Sequence, residues 1–238
     1  MRIDRIIVLV AAVAGLLHVA SAAAQPAPPL QVVPDTMQQR VAACFACHGQ
    51  EGRATNDGFF PRIAGKPSGY LFNQLVAFRD GRRKYVSMNE LLRNLPDGYL
   101  QEIADYFSKV DLPYPSPQTT NASAAALTLG AALVRDGDAA RGVPACAACH
   151  GAALTGVAPF VPGLLGVPRD YINSQLGAWR TGGRVARAPD CMAEIANKLS
   201  FEEIAAASTF LSSQAITDPH PRVAAAQPLP IDCGSVPR

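Results

Sequence analysis

Two stretches decide the reading of this chain: Cys44-Phe-Ala-Cys47-His48-Gly49 and Cys146-Ala-Ala-Cys149-His150-Gly151. Each sets two cysteines three positions apart and follows the second directly with histidine. Cysteines at that spacing lie on one side of a helical turn. Working outward, the two stretches head a longer ladder of identities. Pro61 pairs with Pro162, Gly65 with Gly166, Tyr70 with Tyr171, Gln74 with Gln175, Arg79 with Arg180 and Gly81 with Gly182. Glu102-Ile103-Ala104 pairs with Glu203-Ile204-Ala205. A ladder of this length identifies a tandem duplication.

The chemistry follows from the residue types. Cys-x-x-Cys-His is the pattern of c-type haem attachment. The two sulfurs can form thioethers to the vinyl groups on one haem edge, and the histidine can then reach the iron. A redox dithiol belongs in a strand-helix-strand setting, and strand alternation is absent here. Zinc needs four protein ligands, and a histidine adjoining the second cysteine is poorly placed to share the ion. Cys44, Cys47, Cys146 and Cys149 are therefore expected to hold two haem c groups, with His48 and His150 on the irons. Methionine and histidine are common sixth ligands. Met88 follows His48 by 40 residues and Met192 follows His150 by 42. A lone methionine is ordinarily core packing, but one per repeat at matched distance marks Met88 and Met192 as the distal ligands. Met37 has no counterpart and is expected to pack.

The flanks bound the class of protein. Arg2 and Arg5 precede an apolar run from Ile6 to Ala20, and Ala22-Ala23-Ala24 follows. That layout predicts a signal peptide over residues 1–24 and export to the periplasm. The alternative is an uncleaved anchor, since residues 6–24 barely suffice to span a bilayer; only then would the protein associate with a membrane. The whole chain has 21 Lys or Arg and 19 Asp or Glu, and setting aside Arg2, Arg5 and Asp4 leaves 19 and 18. This balance argues against nucleic acid as a partner.

Periodicity predicts an all-α chain. Asp35, Ser68 and Asp97 are expected N-caps in the first repeat. Helices are expected at about 124–134, 170–180 and 200–212 in the second. Leu112-Pro113-Tyr114-Pro115-Ser116-Pro117 predicts a semi-rigid linker. The expected divisions are an N-terminal domain over 25–111, a proline-rich linker over 112–121, a C-terminal domain over 122–217 and a proline-rich tail over 218–238.

Cys191 and Cys233 are left over. A disulfide is one reading in an oxidising compartment. Free or intermolecular thiols are a second. Cys191 as a thiolate ligand to the second iron in place of Met192 is a third. His220 lies between prolines in the tail and is expected at the surface. Arg79, Arg82, Arg83 and Lys84 precede Met88, and Arg180, Arg184 and Arg187 precede Met192. They read as a solvated face, or as cations that neutralise haem propionates or steer an acidic redox partner.

The two Cys-x-x-Cys-His motifs, Pro61-Arg-Ile-Ala-Gly65 and Tyr70-Leu-Phe-Asn-Gln-Leu75 resemble the dihaem class I cytochromes c, particularly the cytochrome c4 type. The resemblance implies two tandem class I cytochrome c domains, each wrapped around one covalently bound haem. It also implies that the Pro61 and Pro162 carbonyls orient His48 and His150 through the second ring nitrogen, as outer partners of iron-bound histidine do. The implied function is periplasmic electron transfer, with no catalytic residues. A membrane quinol-oxidising complex or a dehydrogenase would be the donor and a terminal oxidase the acceptor. The alternative is a haem subunit of a periplasmic oxidoreductase or a sulfur-compound-oxidising dihaem enzyme. Cys191 and Cys233 depart from the cytochrome c4 pattern.

Overall fold

In the computed structural model, residues 34–237 are described; the expected signal peptide, 1–24, lies outside them. The first repeat forms α1 (Met37–Arg40), α2 (Ala42–His48), α3 (Ser68–Arg79), α4 (Val86–Leu92) and α5 (Asp97–Lys109). The second forms α6 (Ala124–Arg135), α7 (Cys146–His150), α8 (Arg169–Arg180), α9 (Cys191–Lys198) and α10 (Phe201–Ser213). No described helix is long and apolar enough to cross a membrane.

Local chemistry places the helix ends. Ser200 and Glu203 form a reciprocal capping box at α10, which satisfies two otherwise unpaired amides. The Asp190 carboxylate accepts from Ala193 N at 3.1 Å and so starts α9. Three expected caps resolve differently. Thr36 caps α1 through its hydroxyl, while Asp35 pairs with Arg40 at 2.6 Å. Ser68 and Asp97 are first helical residues behind Pro67 and Pro96, whose rings fix φ at the point of entry. The Ser68 hydroxyl is thereby free to bond the Asp105 carboxylate and tie α3 to α5.

Each repeat builds its own core. Val41, Leu71, Leu100, Ile103 and Phe107 centre the first; Leu133, Val134, Ile172, Ile204 and Phe210 centre the second. Helix α6 lies close against α10 at Gly130, where any Cβ would overlap the Ala206 carbonyl.

The loop after α7 contains a feature that periodicity does not show. Gly156–Val157 (β1) and Val161–Pro162 (β2) pair antiparallel, Gly156 opposite Pro162. The tail adds Ala224 beside Val157: Ala224 N donates to Gly156 O and Ala158 N to Ala224 O, each at 2.9 Å. Such short strands carry no alternation, so only the pairing partners reveal them. The tail then passes α7, where Gln227 donates to Ala148 O at 3.1 Å. It ends in a disulfide between Cys233 and Cys191. The linker is pinned as well. Arg62 donates to the carbonyls of Ala64, Leu112 and Pro113 and stacks over Tyr114 at 4.7 Å.

Two predictions follow from this packing. Gly130→Ala improves helix propensity by about 1 kcal/mol but overpacks the α6–α10 contact by about 1–3 kcal/mol. Chemical denaturation is therefore expected to show a net loss of stability, and a gain would contradict the close approach. Removing the disulfide with Cys191→Ser plus Cys233→Ser opens a loop with a sequence separation of 42. The expected loss is roughly 4 kcal/mol in the same titration.

Candidate haem sites

Helices α2 and α7 present the two motifs. Among the described residues Cys44, Cys47, Cys146 and Cys149 are free of disulfides, whereas Cys191 and Cys233 are joined. Burial raises the thiols of Cys44 and Cys149 and pushes Cys146 up to about 11.

Both histidines are buried. His48 Nδ1 donates to Pro61 O at 2.9 Å and His150 Nδ1 to Pro162 O at 2.7 Å. A carbonyl only accepts, so Nδ1 carries the proton and Nε2 keeps its lone pair. Burial depresses both imidazoles, His150 to about 4. The proline carbonyls oppose this. Nearby cations act with burial: Arg83 on His48, and Lys66 and Arg184 on His150. Each ring is thus a neutral imidazole with one nitrogen ready to ligate.

An aromatic pair flanks the first histidine. Phe60 lies 6.2 Å from the His48 ring and 6.3 Å from Tyr85. Met88, on α4, packs against the first core, and Met192, on α9, against the second. Joined to Cys233, Cys191 has no thiolate to offer an iron.

Between the repeats lies a two-fold polar cluster. Arg83 donates to Gln74 at 3.0 Å, Gln175 at 2.6 Å and Tyr171 at 2.7 Å. Arg184 donates to Gln175 at 3.0 Å and Gln74 at 2.8 Å. Arg83 stacks over Phe78 and Arg184 over its counterpart Trp179, at 4.4 and 3.9 Å. The backbone crosses too: Lys84 N donates to Gly183 O and Val185 N to Arg82 O, both at 2.8 Å.

Comparison with known proteins agrees with this arrangement. The cytochrome c family model matches residues 128–215. Cytochrome c4 of Pseudomonas aeruginosa is 36% identical, the match covering 73% of this chain and 85% of that protein. The chain belongs to the cytochrome c4-like class I cytochromes c. The thiosulfate dehydrogenase electron acceptor of Thiomonas intermedia is 34% identical over 74% of this chain and 80% of its own length. Reduced cytochrome c4 from Pseudomonas stutzeri superposes with a TM-score of 0.62 at 33% identity, covering 74% of this chain and 95% of that one. This cytochrome accordingly carries two covalently attached haem c groups and transfers electrons.

The residues present fit that cofactor. Arg83 and Arg184 are 8% and 7% exposed, and no carboxylate pairs with either among the described residues. Buried guanidiniums normally have anionic partners, and haem brings two carboxylates. Trp179 Nε1 is buried with no protein partner, and an orphaned donor of this kind calls for an acceptor.

The solvated reading therefore fails for Arg83 and Arg184, because the contact between repeats buries them. Arg79 and Arg82 are half-buried and ion-paired, Arg79 with Asp97 at 2.5 Å and Arg82 with Asp80 at 3.5 Å, while Lys84 and Arg187 are exposed. His220 is exposed and pairs with Asp111 at 2.7 Å. Sequence reasoning passed over Gln74 and Gln175 as anything but repeat markers. Their recurrence nine residues before Arg83 and Arg184 was the available signal.

Gln175 Oε1 accepts from both arginines. Gln175→Leu is expected to cost about 1–3 kcal/mol, the penalty of leaving buried donors unsatisfied. Denaturant melts followed at the haem absorption band would show it, with the haem count still two per chain.

Proposed function

We propose that each repeat binds one haem c as a six-coordinate His/Met centre, and that the protein relays electrons between redox partners in the periplasm. Cys44 and Cys47 hold the first haem and Cys146 and Cys149 the second. His48 and Met88 ligate the first iron, His150 and Met192 the second. The observation that carries this is the repeated bond from Nδ1 to a proline carbonyl, which leaves Nε2 free at both sites. The bound haem supplies a one-electron iron(III)/iron(II) couple. The chain's residues supply orientation, burial and axial ligands, and these set the potential. With both axial positions filled by protein there is no open site for substrate, which fits a carrier rather than an enzyme.

The proposed organisation is a domain over 25–111, a linker over 112–121, a domain over 122–217 and a tail over 218–238. The separate hydrophobic cores support it. Export rests on the signal peptide expected over 1–24.

The donor is proposed to be a dehydrogenase or a membrane quinol-oxidising complex, and the acceptor a terminal oxidase. Similarity to two proteins named thiosulfate dehydrogenase electron acceptor favours a dehydrogenase of sulfur compounds among these donors. A solved thiosulfate dehydrogenase from Marichromatium purpuratum adds to this, with a TM-score of 0.65 at 27% identity. This chain covers 40% of that one, matching part of a larger protein. The same likeness supports the second reading, a haem subunit of a periplasmic oxidoreductase.

Pyridine haemochrome quantification is expected to give two haems per chain, and Cys44→Ala plus Cys47→Ala to give one. Met192→Ala is expected to lower the second haem's potential by removing thioether ligation, leaving the first nearly unchanged in a spectroelectrochemical titration. Equal shifts at both haems would refute the assignment of one methionine per repeat.

A further inference from the structure

Lys66 breaks the repeat, because its counterpart is Val167. Its side chain belongs to the first repeat but ends in the second. The residue is 6% exposed, and Nζ donates to Gly163 O at 2.8 Å. Gly163 directly follows Pro162, the residue whose carbonyl holds His150. The segment around Lys66 is fixed by docking. Tyr70 N donates to Pro159 O at 3.1 Å, and Gly69 lies against Phe160 so closely that a Cβ would collide with the ring.

The two sites therefore differ in charge. Arg83 and its counterpart Arg184 hold matching places in the cluster between the repeats, each donating to both Gln74 and Gln175, so these contributions match. Lys66 adds a charge on Gly163, one residue beyond the Pro162 carbonyl that holds His150, and Val167, its counterpart, brings no charge to the first site. A nearby cation disfavours further positive charge. Taking up one electron from a donor converts iron(III) to iron(II) and removes one unit of positive charge, so a cation favours the reduced form.

We propose that Lys66 is a positioning residue that raises the reduction potential of the second haem relative to the first, by holding a buried positive charge behind the Pro162–Gly163 backbone that orients His150. The inference rests on His150 as the proximal ligand of the second iron. Its functional consequence is direction: an electron on the protein is biased toward the second haem by contact with a residue of the first repeat.

Burial pushes the Lys66 ammonium down to about 8, and Arg62, of like sign, adds to this. The charge is present below that pH and lost above it. The other cations at the site are Arg62 and Arg184, and arginine keeps its charge throughout this range.

The test is a spectroelectrochemical titration of the holoprotein at pH 7 and pH 9.5, with an outer-sphere ruthenium complex as mediator. Met192→Ala identifies which wave belongs to the second haem. Lys66→Met keeps the apolar stem and removes the charge. At pH 7 this variant is expected to lower the second haem's equilibrium preference for the electron on the order of tenfold, about 59 mV for one electron, with the first unchanged. Wild-type protein is expected to show a drop of the same size between pH 7 and pH 9.5, and Lys66→Met none. An unmoved second wave, or equal movement of both, overturns the proposal. Should Lys66→Met fail to fold, the wild-type pH step alone decides: a second-haem potential that does not fall overturns it. If Met192→Ala moves neither wave selectively, the ligand assignment fails, and this proposal with it.

Discussion

A hydrogen bond from an imidazole Nδ1 to a proline carbonyl governs each half of this molecule. The carbonyl can only accept, so it selects one tautomer and leaves one nitrogen to ligate. The helix carrying the histidine is too short to fix the ring by itself; α7 has five residues. Position comes instead from the chain that returns after it. Gly49 and Gly151 adopt φ of +73° and +85°, a conformation that side chains resist. At Gly49 a Cβ would also collide with the Ala54 carbonyl. The turn, the loop and the proline form one device, built twice.

Duplication produced a second device at the contact between the repeats. Each copy brings a Tyr, a Gln and an Arg at matching positions, and a two-fold arrangement interleaves them. Each glutamine oxygen serves an arginine from both repeats. Two cations buried together repel, and carboxamide oxygens alone are weak compensation. The carboxylates of two haems would suit this cluster, and cofactor binding would then strengthen the contact between repeats. Symmetry is then broken at chosen places. The tail packs along α7 and is tied to α9 by the disulfide, and Lys66 reaches from the first repeat into the second, where Val167 has no such reach.

Much of this was legible in the sequence. The Cys-x-x-Cys-His motifs, the 101-residue ladder and the helical periodicity of segments such as Leu100-Ile103-Ala104-Phe107 point to two haem-binding helical units. Cys191 and Cys233 were legible as a possible pair by elimination. What was hidden depends on distant partners. The burial of Arg83 and Arg184 comes from a surface that exists only once two repeats meet. Nothing local to Lys66 marks Gly163, 97 residues away, as its acceptor. The strands at 156–157 and 161–162 are too short to alternate, and a tail residue completes them. The cap position also moved, from Ser68 to Pro67, which leaves the Ser68 hydroxyl for Asp105.

The central claim is one His/Met iron per repeat. Proton NMR of the fully reduced protein tests it most directly, because an iron-bound methionine methyl lies over the haem plane and its resonance is displaced strongly upfield by the ring current. The account predicts two such methyl resonances, one lost in Met88→Ala and the other in Met192→Ala. A single displaced methyl, none at all, or one that survives both substitutions would contradict it.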